Sequence, residues 1–167
     1  MVDELKSAKH SWWKIPIGFA IFIMLFVMWW GIPNFQVWRA DQQVKELCAK
    51  DGGVKLYEAV SLPSEMFNQW GQINFYRPVL KENALGPDYL FKRQMKQFKR
   101  GSPNLFQIHT QVIRRVDGKL LGESSIYIRR GGGPIGPWHE SSYMCPEMSE
   151  KEDVLRQVFI SGKRVNP

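Results

Sequence analysis

Apolar positions along this chain fall into three patterns: a block, a helical stripe and an alternation. The block comes first. Ile15–Ile32 reads IPIGFAIFIMLFVMWWGI without a charged residue, and the uncharged run continues to Trp38. At about 1.5 Å per residue the block covers roughly 27 Å, close to the ~30 Å hydrocarbon layer of a bilayer. Trp12 and Trp13 flank one end and Trp29 and Trp30 the other, where amphipathic indole rings favour the headgroup level. No polar stripe of the kind a soluble core helix shows interrupts it. The pattern predicts a transmembrane helix over 15–32 behind a short tail, 1–14. Gly31-Ile32-Pro33 should break or kink the helix as it leaves the bilayer.

The helical stripe follows. Asn34 is placed to cap a new helix in which Val37, Ala40, Val44 and Leu47 recur at three- and four-residue steps. Asp51-Gly52-Gly53 ends it, which predicts a stalk helix over 34–52. Its stripe packs either on its own domain or on a second copy as a short coiled-coil seam. Near the other terminus, Ser149-Glu150-Lys151-Glu152 is a capping box before Val154, Leu155, Val158 and Phe159, the packing face of a second helix.

Between them the pattern alternates. Val54–Val60 and Gln72–Tyr76 read as short strands, with a helical turn or two from Ser61-Leu62-Pro63-Ser64 to about Gln69. Residues 81–88 are a loop, and Tyr89–Lys99 begins as a strand. Phe106–Arg130 reads as a hairpin about Asp117-Gly118. Of its two registers, a turn closed by a Gly118 bulge sets Phe106 opposite Ile128, Ile108 opposite Ile126 and Val112 opposite Gly122. Gln107, His109, Gln111, Glu123, Ser125 and Tyr127 then share the other face. A one-residue slip would mix polar and apolar on both faces, so this register is expected. Gly131–Met148 is a Gly/Pro loop, and Ser161–Pro167 a basic loose end. The expected fold is α+β: a domain over 53–167 with an antiparallel sheet of four or five strands, packed by the stalk helix and the C-terminal helix.

Charge and cysteine content add a location. Lys6, Lys9 and Lys14 precede the span and only Arg39 follows closely, which favours a cytoplasmic N-terminus, although Lys45 and Lys50 narrow the margin. The exit through Trp29-Trp30-Gly31-Ile32-Pro33 lacks the small residues of a signal-peptidase site, so an uncleaved anchor is expected. The two cysteines, Cys48 and Cys145, read as a disulfide in an exported domain or as two unrelated thiols. If paired, they close a loop of about a hundred residues, worth at most ~4.7 kcal/mol by chain entropy. The expectation is a single-pass protein of the cell inner membrane with its domain periplasmic or extracellular.

Candidate chemistry is sparse. No phosphate-cradling loop, CxxC, HExxH or nucleophile elbow is present. His109, Ser125 and Glu123 are weak catalytic candidates, a nucleophile, base and orienter on one sheet face. Cys48, Cys145 and His139 make a poor metal set, and no metal or cofactor is expected. Between Tyr89 and Val116 lie seven cations and no acid: Lys92, Arg93, Lys96, Lys99, Arg100, Arg114 and Arg115. Within a net charge of +7, these are expected to gather into a patch for anionic lipid headgroups. Stacking aromatics at nucleic-acid spacing are missing, so nucleic acid is not an expected partner. Trp138 and His139 in the Gly/Pro loop are the expected partner-binding residues. The resulting reading is a non-enzymatic accessory or assembly subunit binding other membrane or envelope proteins. The alternative is a tethered enzyme acting on envelope material through the His109 face.

Overall fold

A computed structural model describes residues 17–133, 140–147 and 153–162. The first helix, α1 (Ile17–Asp51), is a single rod of 35 residues, roughly 52 Å long at the helical rise. It is long and apolar enough to cross a membrane. The expected break at Gly31-Ile32-Pro33 does not occur, since Pro33 lies inside the helix. Asn34 starts no second helix; its side-chain amide donates to the Trp30 carbonyl one turn back, at 2.7 Å. The expected span and the expected stalk are therefore one element. The stripe on its second half packs on its own domain, with Ala40 and Val44 buried.

The chain continues through β1 (Gly53–Leu56), β2 (Val60–Pro63), β3 (Tyr89–Lys99), β4 (Asn104–Arg114), β5 (Leu120–Arg130), β6 (Ser142–Cys145), α2 (Val154–Val158) and β7 (Phe159–Gly162). Five strands form an antiparallel sheet in which β3, β4 and β5 lie side by side. β1 and β6 share the far edge of β5, β1 against residues 122–125 and β6 against 127–130. The hairpin register is the one the alternation predicts, with Phe106 opposite Ile128, Ile108 opposite Ile126 and Val112 opposite Gly122. Gly118 takes the left-handed φ of 68° that the turn needs.

Elsewhere local chemistry overrides alternation. Gln72–Tyr76 is not a strand and contributes one bridge, Ile73 to Phe67. Asn68 Oδ1 accepts from the backbone of Trp70 and Gln72 at 3.0 and 2.9 Å, which folds this stretch into a turn. Val54–Val60 splits in two because the N–H groups of Tyr57 and Glu58 both donate to Leu121 O, beside the β5 bulge. The Gly/Pro stretch holds a strand, β6, and the C-terminal helix is a single short turn-and-a-half. Phe159 leaves that helix to open β7, which pairs in parallel with β2. The capping box at 149–152 lies outside the described residues; Asp153 caps α2, its carboxylate accepting from Leu155 N at 3.0 Å.

The two sheet faces carry separate cores. Phe91, Val112 and Leu121 meet Val154, Val158 and Phe159 on the α2 side. Val44 meets Leu105 and Tyr127 on the α1 side, with Leu47, Tyr143 and the disulfide beside them. Cys48 and Cys145 are bonded, with their Cα atoms 5.9 Å apart. Arg129, only 3% exposed, is the other tie to α1. Its Nε donates to Asp41 Oδ1 at 2.6 Å, and its Nη1 donates to Gly131 O, Ser141 O and Ser141 Oγ at 2.7, 3.0 and 2.8 Å.

Two substitutions test these contacts. A Cβ at Gly122 would stand 2.7 Å from Val158 Cγ2 and 3.2 Å from Val154 Cγ2. Gly122→Ala should therefore cost about 1–3 kcal/mol of overpacking, read as a lower thermal midpoint of the detergent-solubilised protein. Asp41→Ala strands a buried guanidinium and should cost about 3 kcal/mol, the low end of the range because three acceptors remain. A midpoint equal to that of the unaltered chain would show that the head does not depend on this pair.

Candidate functional site

His109, Ser125 and Glu123 come together on the α1 side of the sheet. They sit on the two central strands, His109 directly opposite Ser125 and Gln111 opposite Glu123. His109 Nδ1 is 3.0 Å from Ser125 Oγ, and Nε2 is 3.5 Å from Glu123 Oε2. Hydroxyl, imidazole and carboxylate thus follow in the order a nucleophile, base and orienter require. The surroundings restrain them. Gln107 Nε2 also donates to Ser125 Oγ at 3.3 Å, and the Tyr57 phenol donates to Glu123 Oε1 at 2.9 Å. Ser125 is only 6% exposed. Bonding to the Glu123 carboxylate holds the Tyr57 phenol above the usual tyrosine range. Farther along the same face, Tyr127 donates to Asp51 Oδ1 at 2.6 Å. Burial, reinforced by that carboxylate, pushes its phenol well up as well.

The seven cations do not form one patch. Strand alternation sends Lys92 and Lys96 to the His109 face, since they pair with Gln111 and Gln107, and Arg93 to the α2 face, where it pairs with Thr110. Arg114 is committed to Glu58 and, at 3.1 Å, to Asp117. Arg115 donates to Asn83 Oδ1 and to Tyr89 O. Lys99 and Arg100 lie exposed where β3 turns toward β4. The sequence showed the cations' number; period-two geometry divides them. Trp138 and His139 lie outside the described residues. With both cysteines in the disulfide, the three-residue metal set has no free thiolate to offer.

One site escaped the sequence reading. A cavity of about 620 Å³ opens on the α2 side of the sheet, walled by apolar groups including Phe67, Ile73, Tyr76, Phe91, Ile126 and Phe159. Its floor is polar: Arg93, Thr110 and Ser124 form one row across β3, β4 and β5. The signal was present, since Thr110 and Ser124 interrupt the otherwise oily face of the hairpin directly opposite each other. Neither protein families, nor curated proteins, nor solved structures give a match to this chain.

Charge around the hairpin turn sets an acid response. Glu58 accepts from Lys119 Nζ at 2.5 Å and from Arg114, and these partners hold its carboxyl below the ordinary value of 4.5. Asp117 is likewise lowered, chiefly by the Lys119 N–H. A carboxylate depressed on folding stabilises the fold above its unfolded value and loses that contribution as pH falls through the folded one. Stability should therefore decline below about pH 4.5, and Glu58→Gln should flatten that decline in an acid titration followed by circular dichroism.

Proposed function

We propose that this chain is a single-pass, membrane-anchored envelope protein with its N-terminus cytoplasmic and its domain exported. In this reading it is a non-enzymatic accessory or assembly subunit that binds other membrane or envelope components. The observation that carries the proposal is the union of anchor and head. The helix suited to span the membrane runs on without interruption to Asp51 and is tied to the sheet by Arg129–Asp41 and Cys48–Cys145. Asp41 follows Trp38 by only three residues, about 4.5 Å along the axis, so the head sits directly at the bilayer surface. Such mounting suits a subunit that presents fixed surfaces to its neighbours. The disulfide supports an oxidising compartment. Lys99, Arg100 and Arg130 are exposed at the end of the sheet nearest Asp41, where anionic headgroups would lie.

A second reading has one observation in its favour, the alignment of Ser125, His109 and Glu123. A tethered hydrolase would use Ser125 as nucleophile, His109 as base and Glu123 as orienter. The burial of Ser125 and the opening of the cavity on the opposite face weigh toward a structural polar cluster.

Three outcomes are expected. The protein stays in the membrane after carbonate washing, and a phosphatase reporter fused after Pro167 is active as only an exported reporter is. Cys48 and Cys145 resist alkylation in cells until reductant is added; labelling of both beforehand would contradict export. A fluorophosphonate probe leaves Ser125 unmodified, and His109→Ala preserves cellular function. Labelling of Ser125 that His109→Ala abolishes would replace the binding reading with the hydrolytic one.

A further inference from the structure

We infer that the cavity on the α2 face is a binding site for a single-chain amphiphile with an anionic head, a carboxylate or phosphate on an acyl chain. The inference rests on the membrane-anchored reading and names one component the domain would bind. At about 620 Å³ the cavity falls within the roughly 300–1,000 Å³ of small-molecule sites. Its walls are what an alkyl chain needs: Phe67, Ile73, Phe91 and Ile126 offer apolar surface that would otherwise face water.

The floor selects the head. Thr110 and Ser124, 6% and 5% exposed, both line the cavity. Each hydroxyl can donate to a ligand oxygen seated in the cavity. Two such donors stand opposite each other, and Arg93 extends their row at the exposed end. Arg156 and Asp153 also line the cavity, and the Asp153 carboxylate caps α2. Two hydroxyl donors in line with the Arg93 guanidinium favour an anion over a neutral or cationic head.

The full chain in phosphatidylcholine nanodiscs tests this with a diazirine-bearing dodecanoic acid and the matching dodecanol, cross-links being mapped by peptide mass spectrometry. The acid should label β3, β4 and β5 peptides saturably and at least fivefold more than the alcohol. Unlabelled dodecanoate or dodecyl phosphate should compete, whichever is stronger identifying the head. Arg93→Gln should collapse the difference between acid and alcohol. Thr110→Val, nearly isosteric, should weaken acid labelling, and Ser124→Leu should fill the floor and abolish it while the Cys48–Cys145 bond stays intact. Sheet labelling that is non-saturable, equal for acid and alcohol, or unchanged by Ser124→Leu overturns the inference. Labelling confined to α1 refutes the cavity site yet upholds the anchor, whereas failure of α1 to enter the nanodisc refutes the anchor itself.

Discussion

The tie between Arg129 and Asp41 is the constraint on which the architecture turns. A guanidinium that is 3% exposed must have its charge and its donors answered inside the protein. Arg129 meets that need with a carboxylate from α1 and with acceptors from the β5 end and from Ser141, just before β6. The helix, 88 residues away in sequence, and the two arms leading out of β5 and into β6 are thereby held to one point. The disulfide joins α1 to β6 a few turns on, so the helix is fixed to the sheet twice. Two ties separated along a rod restrain rotation as well as distance, and the sheet becomes an extension of the helix.

That rigidity gives the two sheet faces different roles. The α1 side is largely occupied: Val44 and Tyr127 pack there, and the His109 cluster fills the adjoining space with mutual hydrogen bonds. The α2 side is only partly closed. α2 and β7 cover Val112, Leu121 and Gly122, and the next positions along that face, Thr110, Ser124 and Ile126, line the cavity. Among the described residues β3 is the free edge of the sheet, exposed from Arg93 onward and rich in lysine and arginine. Cations on such an edge discourage pairing with another copy of the same strand. Occupied face, partly open face and guarded edge thus follow from one sheet and one helix.

Much of this was legible in the residues. The apolar block announces a helix long and apolar enough to cross a membrane, because its run without charge matches the hydrocarbon thickness of a bilayer. The hairpin register could be read to the residue because any slip would put Phe106 and Ile128 on the polar face. The strand assigned to Gln72–Tyr76 failed for a local reason, since the Asn68 side chain competes for the backbone there. The expected cationic patch failed because the backbone pleat separates neighbours such as Lys92 and Arg93.

The sequence by itself determined the long apolar helix, the hairpin and the composition of each strand face, because these depend on period and turn chemistry within a short stretch. Only the tertiary structure decided that the helix continues through Pro33, that Cys48 meets Cys145, that β2 pairs in parallel with β7, and that Thr110 and Ser124 floor a cavity. Each of these depends on which distant segment arrives opposite a given residue. That is set by the closure of the whole chain and leaves no trace in local periodicity.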